Sequence, residues 1–429
     1  MRIYDNPSKT IRDQLCRRPA LEQASLDILM DEIFEAVRKD GDRALIRYTE
    51  KFDNITPQNV ALSLNEQQAI ALRTPKALMR AIDRAYDNIR VFHAGQVLDQ
   101  RKETVEILPG VTCWRESRAI ERVGLYVPGG TAPLISSALM LGVPAQIAGC
   151  KEIILCTPPN KLGAIEPAVC YAAAKIGAKK LMCVGGAQAI AAMAIGTKCV
   201  PGVDKIFGPG NQYVTAAKQM AVKYGVAIDM PAGPSEVMVV ADETARPDFV
   251  AADLLSQAEH GTDSQVVLLA TCNKIAKAVN DEMSRQLATL PRKLIADKAL
   301  TNSFCLVLDT IDKMVNFANN YAPEHLILSV ALPEQLATQV ANAGSVFLGN
   351  YSPESAGDYA SGTNHTLPTN GWARSYGGVS LDSFIKKITF QTITQSGLRS
   401  LAEVIVPLAN AENLSAHARA VTIRLRNNL

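Results

Sequence analysis

Gln257 and His260 stand three residues apart at the end of the run PDFVAADLLSQAEHG, residues 247–261, and together offer an amide oxygen and an imidazole nitrogen to a metal ion. Pro247 suits a first helical turn and Gly261 a helix stop, so the run reads as one helix. At about 100° per residue, Val250, Leu254 and Gln257 share a face, with Asp253 and His260 along its edge and Glu259 pointing away. Two such side chains make half a metal site, so two further ligands have to come from elsewhere. A polar pair at this spacing is also common at the end of an ordinary core helix, where it does no chemistry.

The chain has five histidines, at 93, 260, 325, 365 and 417. His93 lies in a helical repeat and is most simply structural. In YAPEHLIL, Glu324 and His325 set a carboxylate beside an imidazole at the mouth of a strand, a pairing that can move protons. Neighbouring strand residues face opposite ways, so both reach one substrate only where the backbone is irregular or just entering the strand. Pro323 allows that. Asp358 lies in a long loop and could supply a hard oxygen ligand, while His417 sits in the helical segment ANAENLSAHARA. Taken singly, each of these residues has an ordinary structural explanation.

The elements that would position them are set by a chain of 429 residues, 48% of them hydrophobic, which is enough for two or more cores. Lysine and arginine number 44 against 42 acidic residues, and no long block of one sign occurs, which argues against a nucleic-acid or membrane-surface stripe and for a small-molecule partner. The nine cysteines are scattered, odd in number and without a C-x-x-C pair, so reduced thiols are expected and any metal should be held by His, Gln and carboxylates. The first residues, MRIYDNPSKTIRDQL, lack the apolar core of a secretory signal. Residues 123–150 run 28 positions without a charge, but three prolines and five glycines break them into a buried strand, a turn and a buried helix.

The expected fold is α/β: two Rossmann-like parallel-sheet domains facing a cleft, with helical N-terminal and C-terminal extensions. Residues 1–120 form the N-terminal helical region, a packing and assembly module whose helical spacing lasts to about residue 95, followed by short antiparallel strands around QVLDQ, TVEIL and residues 111–114. Residues 121–234 repeat strand, Gly/Pro turn and helix (VGLYVPGG, EIILCTPP, KLMCVGG and KIFGPG, each followed by helical text), the pattern of a parallel sheet with helices on both faces. Ligands sit beyond the C-terminal ends of such strands, so the turns YVPGG, VGGAQ and FGPGN would hold a cofactor. Residues 235–380 carry a second series, EVMVVAD, QVVLLA, CLVLD, HLILSV and SVFLG, and the loop-like residues 352–378 are long enough to be functional. Residues 381–429 return to helical spacing and read as an arm. No complete dinucleotide fingerprint is present, because the only G-x-G is Gly208 to Gly210 and its third position is Tyr213.

The strings YVPGGTAPL, VGGAQAIAA, VDKIFGPGN, DMPAGPSEV, DLLSQAEHG, DSQV, PEHLI, AGSVFLG, SPESAGDYASGTNH and AENLSAHA together resemble histidinol dehydrogenase, and the likeness covers essentially the whole chain. The resemblance implies a cytoplasmic homodimer with one Zn2+ per subunit. It would act as an NAD-dependent four-electron alcohol dehydrogenase, oxidising L-histidinol to L-histidine through bound L-histidinaldehyde with reduction of two NAD+, in the final step of histidine biosynthesis. By motif it implies Gln257, His260, Asp358 and His417 as zinc ligands, with His417 supplied by the partner subunit. It implies Ser235 and Glu412, with His325 and the metal ligands, as substrate contacts, and Tyr126, Gln188 and Asn211 as NAD contacts. The three NAD contacts fall in the three turns selected by the sheet pattern. His365 is not a ligand in the family. Zinc would then be a positioning clamp, His325 the base that takes the alcohol proton, and Glu324 the base that activates the hydrating water. Two rival readings are an aldehyde dehydrogenase acting through a cysteine thioester and a non-catalytic zinc-binding protein.

Overall fold

The computed structural model describes residues 1–18, 23–57, 59–97, 104–129, 133–231 and 233–426. Contacts group the chain into two compact units, Met1–Gln96 with Ile120–Phe384 and Val97–Ala119 with Ile385–Leu429, in place of the four consecutive segments expected from sequence.

The larger unit holds two six-stranded sheets. In the first, Lys180–Cys183, Glu152–Thr157, Arg122–Tyr126, Lys205–Phe207 and Ala227–Ile228 lie side by side and parallel, so the strands of this half run 3-2-1-4-5 across the sheet. The second repeats that order with Phe304–Val307, Gln265–Ala270, Glu236–Ala241, His325–Ser329 and Ser345–Leu348. This is the doubly wound pattern, with the reversal of strand order between strands 1 and 4 of each half. The strands EVMVVA and QVVLLA are buried at every residue, as sheets covered on both faces require. Each sheet gains an edge strand beside its strand 3 that local pattern did not mark: Ala61–Leu62, antiparallel in the first, and Arg2–Asp5, parallel in the second. Two and four residues are too few to show a period of two.

The N-terminal helices are part of the first α/β layer and do not form a module of their own. Met30, Ile33, Phe34 and Val37 of Gln23–Asp40, with Leu45 and Tyr48 of Asp42–Asp53, pack into one core with Met182, Ile190, Met193 and Met220. Ile82 and Ile89 of Lys76–Ala94 close the opposite face with Leu139, Val143 and Ile176. Helices with one apolar stripe have to bury it, and the sheet offers the nearest apolar surface.

In the smaller unit Thr104–Leu108 and Val111–Ala119 form a hairpin, and Ile385–Ile393 pairs antiparallel with the second of these strands. Residues 98–103, which include most of the QVLDQ run, lie outside the described residues. The helical arm expected from residue 381 therefore opens with a nine-residue strand. Ile385, Ile388, Thr389, Thr392 and Ile393 are β-branched, and their partners lie more than 260 residues earlier, beyond the reach of local spacing. Two helices, Gln395–Ala411 and Ser415–Leu425, pack on each other behind it. Among the described residues no helix is long and apolar enough to cross a membrane.

Candidate active site

The first sheet offers the C-terminal ends of its strands. Tyr126 ends the Arg122–Tyr126 strand with a buried ring, its hydroxyl accepts the Gly186 N–H at 3.1 Å, and burial pushes its phenol up to about 12. It thereby braces the VGGAQ turn. Gly186 has φ +65°, and a side chain there would also press on the Gln188 amide. Gln188 is fully buried, and neither of its amide atoms has a hydrogen-bond partner among the described residues. Asn211 caps the Gln212–Lys223 helix, its Oδ1 accepting the N–H groups of Tyr213 and Val214 at 3.1 and 3.2 Å. The FGPG turn is gripped from below by a buried ion pair between Lys218 and Asp229. Lys218 donates to the Gly208 carbonyl at 2.9 Å, and Asp229 accepts the Gly208 N–H at 2.8 Å. Sequence reasoning missed both residues, since neither is distinctive as a residue type within a helix or before a turn.

The second sheet turns the opposite edge to this region, the N-terminal ends of its strands. The general rule for parallel sheets does not select these positions. Ala322 at φ +53° and Pro323 lead the chain out of the Ile311–Tyr321 helix, and Glu324 immediately precedes the His325–Ser329 strand. Both side chains consequently stay on the same side of the strand mouth, with His325 Nδ1 3.6 Å from Glu324 Oε2. The backbone of Glu236 at the head of the neighbouring strand holds the pair from the two peptides that flank its Cα: its N–H donates to Glu324 Oε2 at 2.8 Å, and its carbonyl lies 3.2 Å from His325 Nδ1.

The helix Pro247–Ala258 starts at Pro247 as the sequence suggests but ends three residues before Gly261. Val250, Leu254 and Gln257 form its buried face; His260 lies just beyond the last turn, where its N–H donates to the Gln257 carbonyl at 3.2 Å. His260 is exposed to a cavity of about 590 Å³ that is also lined by Asn211, Gln212, Pro234, Glu236 and Asn370. A smaller cavity of about 40 Å³ brings Gly208, Gly210 and Asp229 of the first half against Glu324 and His365 of the second. None of the nine cysteines lines either cavity. Ser235 sits one residue before the Glu236–Ala241 strand, its carbonyl accepting the Gln265 N–H at 3.1 Å.

The long loop after residue 351 contains a short α-helix, Glu354–Tyr359, that sets Glu354 and Asp358 four residues apart on one face, and later a 3-10 turn at Trp372–Arg374. His325, Glu354 and Asp358 place ligand-type atoms within 4.8 Å of one another, with His325 Nε2 3.5 Å from Asp358 Oδ1. In the amide orientation that satisfies both ends, Gln257 donates to Glu354 and accepts the Glu236 N–H at 3.0 Å. Sequence reasoning missed Glu354; its i, i+4 spacing from Asp358 was the available signal. His365 is fully used, with Nδ1 at 2.9 Å from the Asp358 carbonyl and Nε2 at 3.1 Å from Ser137 Oγ. His93 is buried in its helix, with Nδ1 bonded to Gln96. Glu412 and His417 belong to the smaller unit, both exposed; Glu412 caps the end of the first helix and His417 lies in the second, because the chain turns at Asn413, φ +59°. A wheel drawn for one helix therefore does not relate them.

Charge in this cluster is strongly coupled. Burial alone would lower His325, but Glu354, Glu324 and Asp358 outweigh it and hold the imidazole at about 10. Burial raises Glu324 to about 8 and pushes Glu354 well above the usual carboxylate range, the His325 cation opposing both. Burial would raise Asp358 too, yet its contact with His325 brings it below the ordinary value. His260, exposed to the cavity but ringed by protein, is lowered by desolvation, with Asp358 acting the other way.

Asp253, on the same helix as Gln257, is raised to about 7 by desolvation. Between the ordinary carboxyl value of 3.8 and about 7 the unfolded chain has lost this proton while the folded chain keeps it, so stability falls as pH rises through that window, by at most about 1.4 kcal/mol per unit. Asp253→Asn should therefore melt above the parent protein at pH 8 and level with it at pH 4. Calorimetry showing the same difference at both values would rule this out.

The fold and site define a doubly wound α/β enzyme with a carboxylate–imidazole pair at the mouth of a cleft. The chain matches the family model described as histidinol dehydrogenase over residues 16–425. It is 53% identical over 425 residues to histidinol dehydrogenase of Bacteroides thetaiotaomicron, covering 99% of both chains, and 49% identical to that of Vibrio parahaemolyticus over 99% and 97%. The crystal structure of histidinol dehydrogenase from Elizabethkingia anophelis superposes with TM-score 0.95 at 54% identity, over 99% of this chain and 98% of that one. The chain belongs to the histidinol dehydrogenase family, and is by that membership an NAD-linked oxidoreductase.

Proposed function

We propose that this chain oxidises L-histidinol to L-histidine with two NAD+, in the cytoplasm, as the last step of histidine biosynthesis, and that the bound intermediate is L-histidinaldehyde. The observation that carries the reading is the placement of Glu324 and His325 together on the backbone hydrogen bonds of Glu236, with Glu324 across a small cavity from the FGPG turn of the first sheet. His325 takes the alcohol proton as hydride leaves for NAD+; Glu324 takes a proton from the water that hydrates the aldehyde before the second hydride leaves. Tyr126, Gln188 and Asn211 contact NAD, and Ser235 contacts the substrate. The amide of Gln188, without a hydrogen-bond partner among the described residues and buried beside the positive-φ Gly186, fits a ligand's polar group. Enclosing the aldehyde keeps a reactive intermediate from escaping.

A zinc ion suits the donors Gln257, His260 and Asp358, which supply N and O ligands, and the buried excess of carboxylate around them calls for a cation. When bound, it supplies positive charge that offsets Asp358 and a fixed point for the substrate's imidazole and amine. The remaining ligand is His417 of the partner subunit, with the partner's Glu412 on the substrate, in a homodimer. Val404, Leu408, Leu414 and Ile423 stay exposed on the helices of the smaller unit, as a surface awaiting a second copy would be. The cysteine-thioester alternative is disfavoured because no thiol lines the cavities, and burial pushes Cys170, Cys183 and Cys305 up to about 12, away from thiolate.

Burial raises Glu324 and the surrounding carboxylates raise His325, so without the metal both are biased toward their protonated forms, and a bound cation offsets that bias. Chelation should therefore abolish NADH production from histidinol, and added zinc should restore it. The buried cores do not depend on the ion, so the far-UV spectrum and a cooperative melt should survive chelation. Full turnover after chelation would defeat the metal reading; turnover absent with any metal would defeat the proposed reaction and favour a zinc-binding protein without activity.

A further inference from the structure

The hydrogen bonds that orient Glu324 and His325 run through the backbone of Glu236, and the side chain of Glu236 is itself held by a residue from the far N-terminal end of the chain. Arg18, beyond the Lys9–Leu15 helix, meets the Glu236 carboxylate with both edges of its fork, Nε to Oε1 at 2.8 Å and Nη2 to Oε2 at 2.9 Å. Its Nη1 donates to the Cys16 carbonyl at 3.0 Å. Side-chain exposure is 9% for Arg18 and 2% for Glu236, so the pair is shielded from solvent screening. The Asn370 N–H adds a bond to Glu236 Oε1 at 3.2 Å.

The guanidinium also lies flat on the Tyr321 ring, 3.4 Å from its centroid, and the Tyr321 hydroxyl donates to Gln265 Oε1 at 2.6 Å. Tyr321 ends the helix that leads, through Ala322 and Pro323, into Glu324 and His325. Arg18 thus touches both segments whose relative placement matters: the head of the Glu236–Ala241 strand, which supplies the N–H and carbonyl, and the helix end that delivers the two side chains receiving them. Glu236 is the first residue of its strand and has a hydrogen-bonding duty at that point. A buried, bidentate anchor on its side chain fixes the Cα between the two peptides that carry its N–H and its carbonyl.

We infer that Arg18 is a positioning residue for the Glu324–His325 pair, acting through Glu236. This rests on the proposed roles of Glu324 and His325. The Glu236 carbonyl keeps the proton of His325 on Nδ1, leaving Nε2 to face the reacting centre, while the Glu236 N–H keeps Glu324 turned toward the small cavity. Arg18 and Glu236 line the cavity that also holds His260 and Asn211, but neither is among the residues proposed to contact histidinol or NAD+; loss of the fork lets the backbone on both sides of the Glu236 Cα shift, and both groups lose their direction.

The test is steady-state NADH production by Arg18→Lys, which keeps the charge but cannot form the fork, together with Arg18→Ala and Glu236→Gln. Turnover should fall about 10- to 100-fold in each, with KM for histidinol and for NAD+ within about twofold of the parent. Millimolar guanidinium should recover part of the turnover of Arg18→Ala and none of that of Glu324→Gln. Adding Arg18→Lys to Glu236→Gln should cost little more than either change alone, since both cut one linkage. If Arg18→Ala does not fold, Arg18→Lys and Glu236→Gln decide the matter by the same kinetics. Wild-type turnover in a folded Arg18→Lys with only a lower melting temperature would overturn the inference and leave Arg18 a structural anchor. Full turnover in His325→Asn and Glu324→Gln would instead refute the roles on which it rests, whatever the Arg18 variants show.

Discussion

His325→Asn should slow NADH formation from histidinol by about 10²- to 10⁴-fold while affecting oxidation of supplied histidinaldehyde less, and Glu324→Gln should reverse that order. Asparagine keeps a group that can donate to the Glu236 carbonyl, so the local structure should hold, but it has no nitrogen that can accept and carry away the alcohol proton. Glutamine likewise fills the space of Glu324 and its oxygen can still accept the Glu236 N–H, yet it cannot take a proton from water. The first oxidation needs one base for the alcohol. The second needs a base for the water that forms the hydrate. The two groups are 3.6 Å apart and both lean on the backbone of Glu236, so a general collapse of the site would damage both half-reactions together. Presenting each variant with each substrate separates these cases, and equal losses on both substrates for both variants would mean that the labour is not divided.

Much of the larger unit is legible from local text because its strands and helices differ in period and are punctuated by Gly and Pro. The repeated strand, turn and helix text from Arg122 to Lys223 becomes the first sheet, and the turns it marks carry Tyr126, Gln188 and Asn211. Pairings across the chain are not legible in this way. Arg2–Asp5 finds its place only against Phe304–Val307, and Ile385–Ile393 only against Val111–Ala119, so a strand there looks like the start of a helix. In the site, Gln257, His260 and Asp358 announce themselves as ligand types at useful spacings. Glu236 does not, because its part is played by backbone atoms that every residue has. Arg18 stands 218 positions from the carboxylate it grips, and nothing in its neighbourhood marks it. Hydrogen bonds made by main chain and contacts made over such separations are the share of a site that residue type cannot disclose.

A dimer mixed from His260→Ala and His417→Ala subunits should regain about half the activity of the parent, although each variant alone is dead. His260 belongs to the larger unit and His417 to the smaller, where it is carried on an exposed helix of a hairpin rooted in the three-stranded sheet. If each site takes His260 from one subunit and His417 from the other, one of the two sites in a mixed dimer collects both defects and the other collects neither. If each site is built from one chain, every site in the mixed dimer keeps one defect and none can work. Two different affinity tags isolate the mixed species, and zinc analysis per subunit gives a second reading: about one tightly held ion per mixed dimer for shared sites, none at full affinity for confined ones. The dimer contact itself is tested by the same sample, since Val404, Leu408, Leu414 and Ile423 leave the hairpin helices with apolar side chains in water unless another surface covers them. A mixed dimer that stays together, binds weakly held zinc and produces no NADH would return His417 to its own chain and with it the whole of the active site.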